Sequence, residues 1–207
     1  MKLAGFTPPH RTTRGFTLIQ LLVVIAVITI LAALVMPAMM RAVSLSERTR
    51  CSSNMGQILR GCFIYANQNS RYFPNAKPGR TGYGDDDLSR LYDGNYVKNL
   101  KTFACPATED NPEKSEDLRR KATEGGKMSY EYWGEYNPRI SMPGIRAGVC
   151  TVIMDEDGYH INGETDGDNH GAEGANMGFF DSHVQWLSAP EWTPARSLSA
   201  REWNRFQ

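Results

Sequence analysis

Two hydrophobic patterns follow each other along the first third of the chain. From Phe16 to Met40 the sequence FTLIQLLVVIAVITILAALVMPAMM carries no charged residue. Its first 21 residues, Phe16 to Met36, would form about 32 Å of helix, enough for the hydrocarbon core of a bilayer. Core helices of soluble domains rarely run so long without a charge, so the pattern predicts a membrane span. The run is also too long for the apolar region of an ordinary cleavable signal peptide. The pattern then changes. Cys51, Met55, Ile58, Leu59, Cys62, Phe63 and Ala66 make one apolar stripe at helical spacing, with Arg50, Gln57 and Arg60 off it. This predicts an amphipathic continuation that packs on a globular domain. Asn67, Asn69 and Ser70 supply stop signals, giving one helix over 16–69, roughly 80 Å long.

The rest reads as short strands and long loops. The β-branched run Gly148–Met154 predicts a central strand. Asn176–Phe180 and His183–Leu187 flank Asp181-Ser182, the length of a two-residue hairpin. Residues 72–142 are rich in Gly, Pro, Asp and aromatics, with a charged stretch over 109–127 expected as a solvated helix or surface loop. The fold class is α+β, a long N-terminal helix on a small antiparallel sheet.

Charge adds an asymmetry to this picture. The 207 residues hold 23 basic and 23 acidic side chains, but Lys2, Arg11 and Arg14 stand in the first 15 residues without an acid. A basic leader therefore precedes a mildly acidic body, which excludes nucleic acid as an expected partner because phosphate contacts need clustered Lys and Arg. A mean hydropathy of −0.46 excludes a polytopic membrane protein. Arg41, Arg48 and Arg50 on the far flank balance the leader, so positive-charge counting does not orient the span. Phosphate-loop, HExxH and GxSxG strings are absent.

The junction Arg14-Gly15-Phe16-Thr17-Leu18-Ile19 resembles the N-terminus of type IV prepilins and of the pseudopilins of type II secretion. The resemblance implies cleavage between Gly15 and Phe16 by a prepilin peptidase, N-methylation of Phe16, and assembly with other pilin-like subunits. Pro37 matches the family's helix proline. Gln20 stands where the family usually has a glutamate, whose carboxylate is thought to neutralise a neighbour's N-terminal amine. The implied layout is a leader over 1–15, a transmembrane and assembly segment over 16–40, an amphipathic segment over 41–69 and a periplasmic head over 70–207. The implied location is the inner membrane, with the leader cytoplasmic, followed by a pseudopilus or a surface fibre. Cys51-Ser52-Ser53-Asn54, Tyr72-Phe73-Pro74 and Phe103-Ala104-Cys105-Pro106 resemble elements of a pseudopilin subfamily with a C-terminal His-x9-Asp-Gly element. Here ten residues separate His170 from Asp181, and Ser182 replaces the glycine.

On the pilin topology the four cysteines meet an oxidising periplasm. Cys51 and Cys62, about 16 Å apart on one helix, cannot bond each other. A Cys51–Cys105 bridge is favoured, with Cys62 and Cys150 as buried thiols. Zinc is disfavoured because no C-x2-C pair exists. No cofactor is required, but Asp155, Asp157, Asp166 and Asp168 lie in a carboxylate-rich stretch that suggests calcium, which the major pseudopilin of type II secretion binds. EF-hand spacing is missing. Asp181, Ser182, His183 and His170 contain the residue types of a hydrolase triad, but consecutive side chains in a hairpin point apart, so no enzyme is expected. Tyr130, Tyr132, Trp133 and Tyr136 allow an alternative, a membrane-anchored module binding carbohydrate or polymer. Core packing is the commoner use of such a cluster.

Overall fold

The computed structural model describes residues 15–74, 86–120, 127–133, 148, 150–155, 170, 173–188 and 191. Helix α1 runs over Leu18–Gln68, with Pro37 inside it. It contributes to two compact units, Met1–Ala42 and Val43–Gln207.

In the first unit, α1 starts on a reciprocal cap. The Thr17 backbone N–H donates to Gln20 Oε1 at 3.0 Å, and the Gln20 N–H donates to Thr17 Oγ1 at 3.4 Å. This is the T-x-x-Q form of the capping box, in which two otherwise orphaned donors are satisfied by side chains. Every described residue from Gly15 to Arg41 is exposed, including the large apolar side chains from Phe16 to Met40. A helix that is apolar on all sides and exposed requires an apolar surrounding. Among the described residues α1 is the one helix long and apolar enough to cross a membrane.

In the second unit, α1 turns one face inward. Cys51, Met55, Ile58, Leu59, Cys62 and Ala66 are fully buried and Tyr65 nearly so. Phe63, expected on the stripe, is half-buried and meets Phe73 and Phe180 edge-on, with ring centroids 5.1 and 6.2 Å away. The helix ends where Ser70 and Arg71 take φ of 54° and 72°. There the Arg71 N–H bonds the Ala66 carbonyl at 2.9 Å, and the Asn69 side chain bonds the Tyr65 carbonyl at 2.8 Å.

The core is completed by an antiparallel sheet. Strands β3 (Tyr130–Tyr132), β4 (Thr151–Asp155), β5 (Gly174–Phe179) and β6 (Val184–Ser188) lie in that order. The β-branched run predicted as a central strand is β4, flanked by β3 and β5 and buried throughout. A separate two-residue ladder joins β1 (Asp86–Asp87) to β2 (Arg119–Arg120), and the short helix α2 covers Ser89–Asp93. The charged stretch after Glu109 contains a 3₁₀ turn at Ser115–Leu118 that leads into β2. Gly178 on β5 lets the helix close on the sheet. A Cβ there would stand 2.8 Å from both Ile153 Cγ2 and Leu59 Cδ1.

The β5–β6 connection corrects the two-residue expectation. Phe179 donates to the His183 carbonyl at 2.9 Å, and the Ser182 N–H returns to the Phe179 carbonyl at 2.9 Å. The loop is therefore three residues, Phe180 to Ser182, with Ser182 at φ 71°. A turn followed by one left-handed residue is the usual three-residue hairpin.

Candidate functional site

Four segments of the second unit converge on one buried point. α1 brings Cys51, its first fully buried residue. The segment after the 3₁₀ turn Leu100–Phe103 brings Cys105, whose N–H is held by Ser129 Oγ at 2.8 Å. β4 ends on Asp155, and His170 stands ahead of β5. Cys51 Sγ donates to Asp155 Oδ1 at 2.8 Å and lies 3.4 Å from the Tyr130 hydroxyl. His170 Nε2 is 3.6 Å from both Cys105 Sγ and Asp155 Oδ2. One donor atom from each of the four residues lies within 4.8 Å of the others. The Asp155 and His170 side chains are 1% and 3% exposed.

Neighbouring groups fix this arrangement. Asp155 Oδ2 accepts from the Asn176 N–H at 2.6 Å and from its side-chain amide at 3.0 Å. The His170 ring meets Trp186 edge-on at 5.3 Å, and the Arg48 guanidinium caps Trp186 at 3.5 Å from the ring centroid. Arg48 also pairs with Glu173 at 3.7 Å. Burial, together with the Cys105 hydrogen bond and the Asp155 charge, pushes the Cys51 thiol far above the usual thiol range. The hydrogen bond from Cys51, aided by that of His170, brings Cys105 down to about 6. Burial opposes charge on His170, but its Cys105 and Asp155 partners outweigh that and raise its pKa. The two sulfurs are thus driven apart, Cys51 towards the thiol and Cys105 towards the thiolate.

The expected site residues divide among several places. Cys51 and Cys105 do come together, but as unbridged thiols. Cys62 and Cys150 are buried elsewhere in the core. Asp155 faces the sulfurs and Asn176, while Asp157, Asp166 and Asp168 lie outside the described residues. The four converging groups do not fit calcium, which takes six to eight oxygens. Tyr130, Tyr132 and Trp133 are core side chains, so none of the three offers a ring face to an external sugar. Tyr136 lies outside the described residues. The triad residue types are split. His170 is in the buried cluster, whereas Asp181 binds His183 Nδ1 at the exposed hairpin, and Ser182 Oγ donates to the Asp181 carbonyl at 2.6 Å.

At the other end of the chain, Gly15 and Phe16 are exposed just ahead of the capped helix. A Cβ at Gly15 would meet nothing within 4 Å, so packing does not explain a glycine there. Gln20 closes the first helical turn and Pro37 sits within α1. Residues 10–36 match the family model of the prokaryotic N-terminal methylation motif. No curated protein and no solved structure matches the chain. With the long apolar helix that follows it, the matched motif supports a type IV pilin-like precursor.

Proposed function

We propose that the chain is a structural subunit of a type II secretion-like pseudopilus or a type IV pilus-like fibre, and that it catalyses nothing. The observation that carries this reading is the charge-free, exposed first part of α1, Leu18 to Met40, which begins three residues after Gly15 inside the matched motif. The precursor sits in the inner membrane with its leader in the cytoplasm and its head in the periplasm. A prepilin peptidase cuts between Gly15 and Phe16, and Phe16 is methylated. The apolar segment then leaves the bilayer to pack with helices of other subunits, association there being driven by close packing and not by charge. Gln20 serves its own helix as half of the cap and supplies no carboxylate to a neighbour's amine.

Intact mass and N-terminal sequencing of the membrane-extracted protein test this. A mature chain that starts at methylated Phe16 is expected. A chain that retains Met1 in cells with an active peptidase would remove the reading, and one lacking the whole apolar run would mark an ordinary secreted domain.

A further inference from the structure

We propose that Cys51, Cys105, Asp155 and His170 bind a zinc-type divalent cation that ties helix α1 to the sheet. The geometry is the first argument. Metal–ligand distances of about 2.0–2.3 Å place the ligands of a tetrahedral zinc about 3.3–3.8 Å apart. Two edges of the cluster, His170 Nε2 to Cys105 Sγ and to Asp155 Oδ2, already measure 3.6 Å. The Cys51–Asp155 edge, now a hydrogen bond of 2.8 Å, opens by under about 1 Å to take the same length. All four donor atoms lie within 4.8 Å of one another.

Donor chemistry is the second argument. Two thiolates are soft ligands, an imidazole is borderline and a carboxylate is hard, and zinc accepts all three, so a set led by sulfur and nitrogen suits it. On binding, the sulfurs bond the cation and any thiol proton leaves to solvent, so two thiolates and a carboxylate face a charge of +2. That compensation matters because Asp155 and His170 are almost fully buried. A disulfide between Cys51 and Cys105 would need neither group. Asn176 supplies the outer support common at such sites, holding Asp155 Oδ2 through two hydrogen bonds. Trp186 packs on the edge of the His170 ring.

The site also has a mechanical consequence. Its ligands come from α1, the segment after Leu100–Phe103, the end of β4 and the segment before β5. One ion would cross-link four pieces of the second unit, and metal binding would become folding free energy. This inference does not depend on the fibre reading.

The test is metal analysis of the full chain, purified in detergent without chelator. About one zinc per chain is expected, with Cys51 and Cys105 shielded from alkylation until a chelator is added. Cobalt(II) added to the stripped chain should give the intense thiolate-to-metal band and visible bands of a tetrahedral site. Cys105→Ser and His170→Ala should lose or alter those bands, while Cys62→Ala, at a buried thiol outside the cluster, should keep them. Wild-type metal content and the cobalt spectrum decide the matter even if a ligand variant fails to fold. A wild-type chain with neither bound zinc nor a thiolate–cobalt band would overturn the proposal. Recovery of a Cys51–Cys105 disulfide peptide, or equal metal retention by folded Cys105→Ser, would overturn it too.

Discussion

Ser182 takes φ of 71° in the hairpin between β5 and β6, in the left-handed region where a Cβ is disfavoured by about 1–2 kcal/mol. Glycine has no such penalty but loses more freedom on folding, so Ser182→Gly should raise stability by about 0.5–1 kcal/mol. Urea unfolding of both chains checks this, and a lower midpoint for the glycine variant would contradict a left-handed residue at this position. The hairpin itself is legible in the sequence, but its loop length is not. Asp181-Ser182 fits a two-residue turn by composition, and only the Phe179–His183 pairing shows that Phe180 belongs to the loop. Gln20 is a similar case. Read against a family pattern it is a missing charge, whereas Thr17-x-x-Gln20 is also a capping box, a signal present in the sequence. The buried cluster is the least legible feature of the sequence. Cys51 and Asp155 are 104 residues apart and Cys105 and His170 are 65 apart, so no local spacing marks them as partners. Cys51, Cys105 and His170 are each visible as part of a separate motif. Their convergence is a property of the folded chain.

Between elements, the helix–sheet contact depends on the missing side chain at Gly178. A methyl group there would press on Ile153 and Leu59 together, each 2.8 Å from its position and both in the core. Overpacking of this kind costs about 1–3 kcal/mol, so Gly178→Ala should lower the melting temperature of the chain. An unchanged melting temperature would show that β5 and α1 can separate slightly without loss. The periodic helical stripe predicted this contact from the helix side because six of its seven positions are buried. It missed Tyr65, which lies beside the stripe and is held by Arg90 Nη1 on its hydroxyl at 3.2 Å and by the Tyr96 ring at 5.4 Å. From the sheet side, β-branched composition located β4. The Gly, Ala and Asn of β5 give a weaker signal, because its small residues are set by close approach and not by strand propensity.

For the molecule as a whole, α1 serves two environments, and the change falls between Ala42 and Val43. Before it the helix is exposed and apolar; after it, one face belongs to a core. A chain that begins at Val43 keeps Cys51 to Ala66 and loses the charge-free run. It should be soluble without detergent and unfold in one cooperative transition. A chain that begins at Ser70 has all four described strands of the sheet but not the helix face. It loses the burial of Met55, Ile58 and Leu59, worth about 4.5–9 kcal/mol together, against a typical total stability of about 5–15 kcal/mol. It also exposes the facing side of Ile153 and Gly178. Circular dichroism and thermal melts of the two chains decide the matter. The Val43 chain should show a sigmoidal melt and the Ser70 chain a featureless one or precipitation. A cooperative melt from the Ser70 chain would mean that the sheet holds its own core. The amphipathic part of α1 would then be a connector to the apolar part, not a structural element of the second unit.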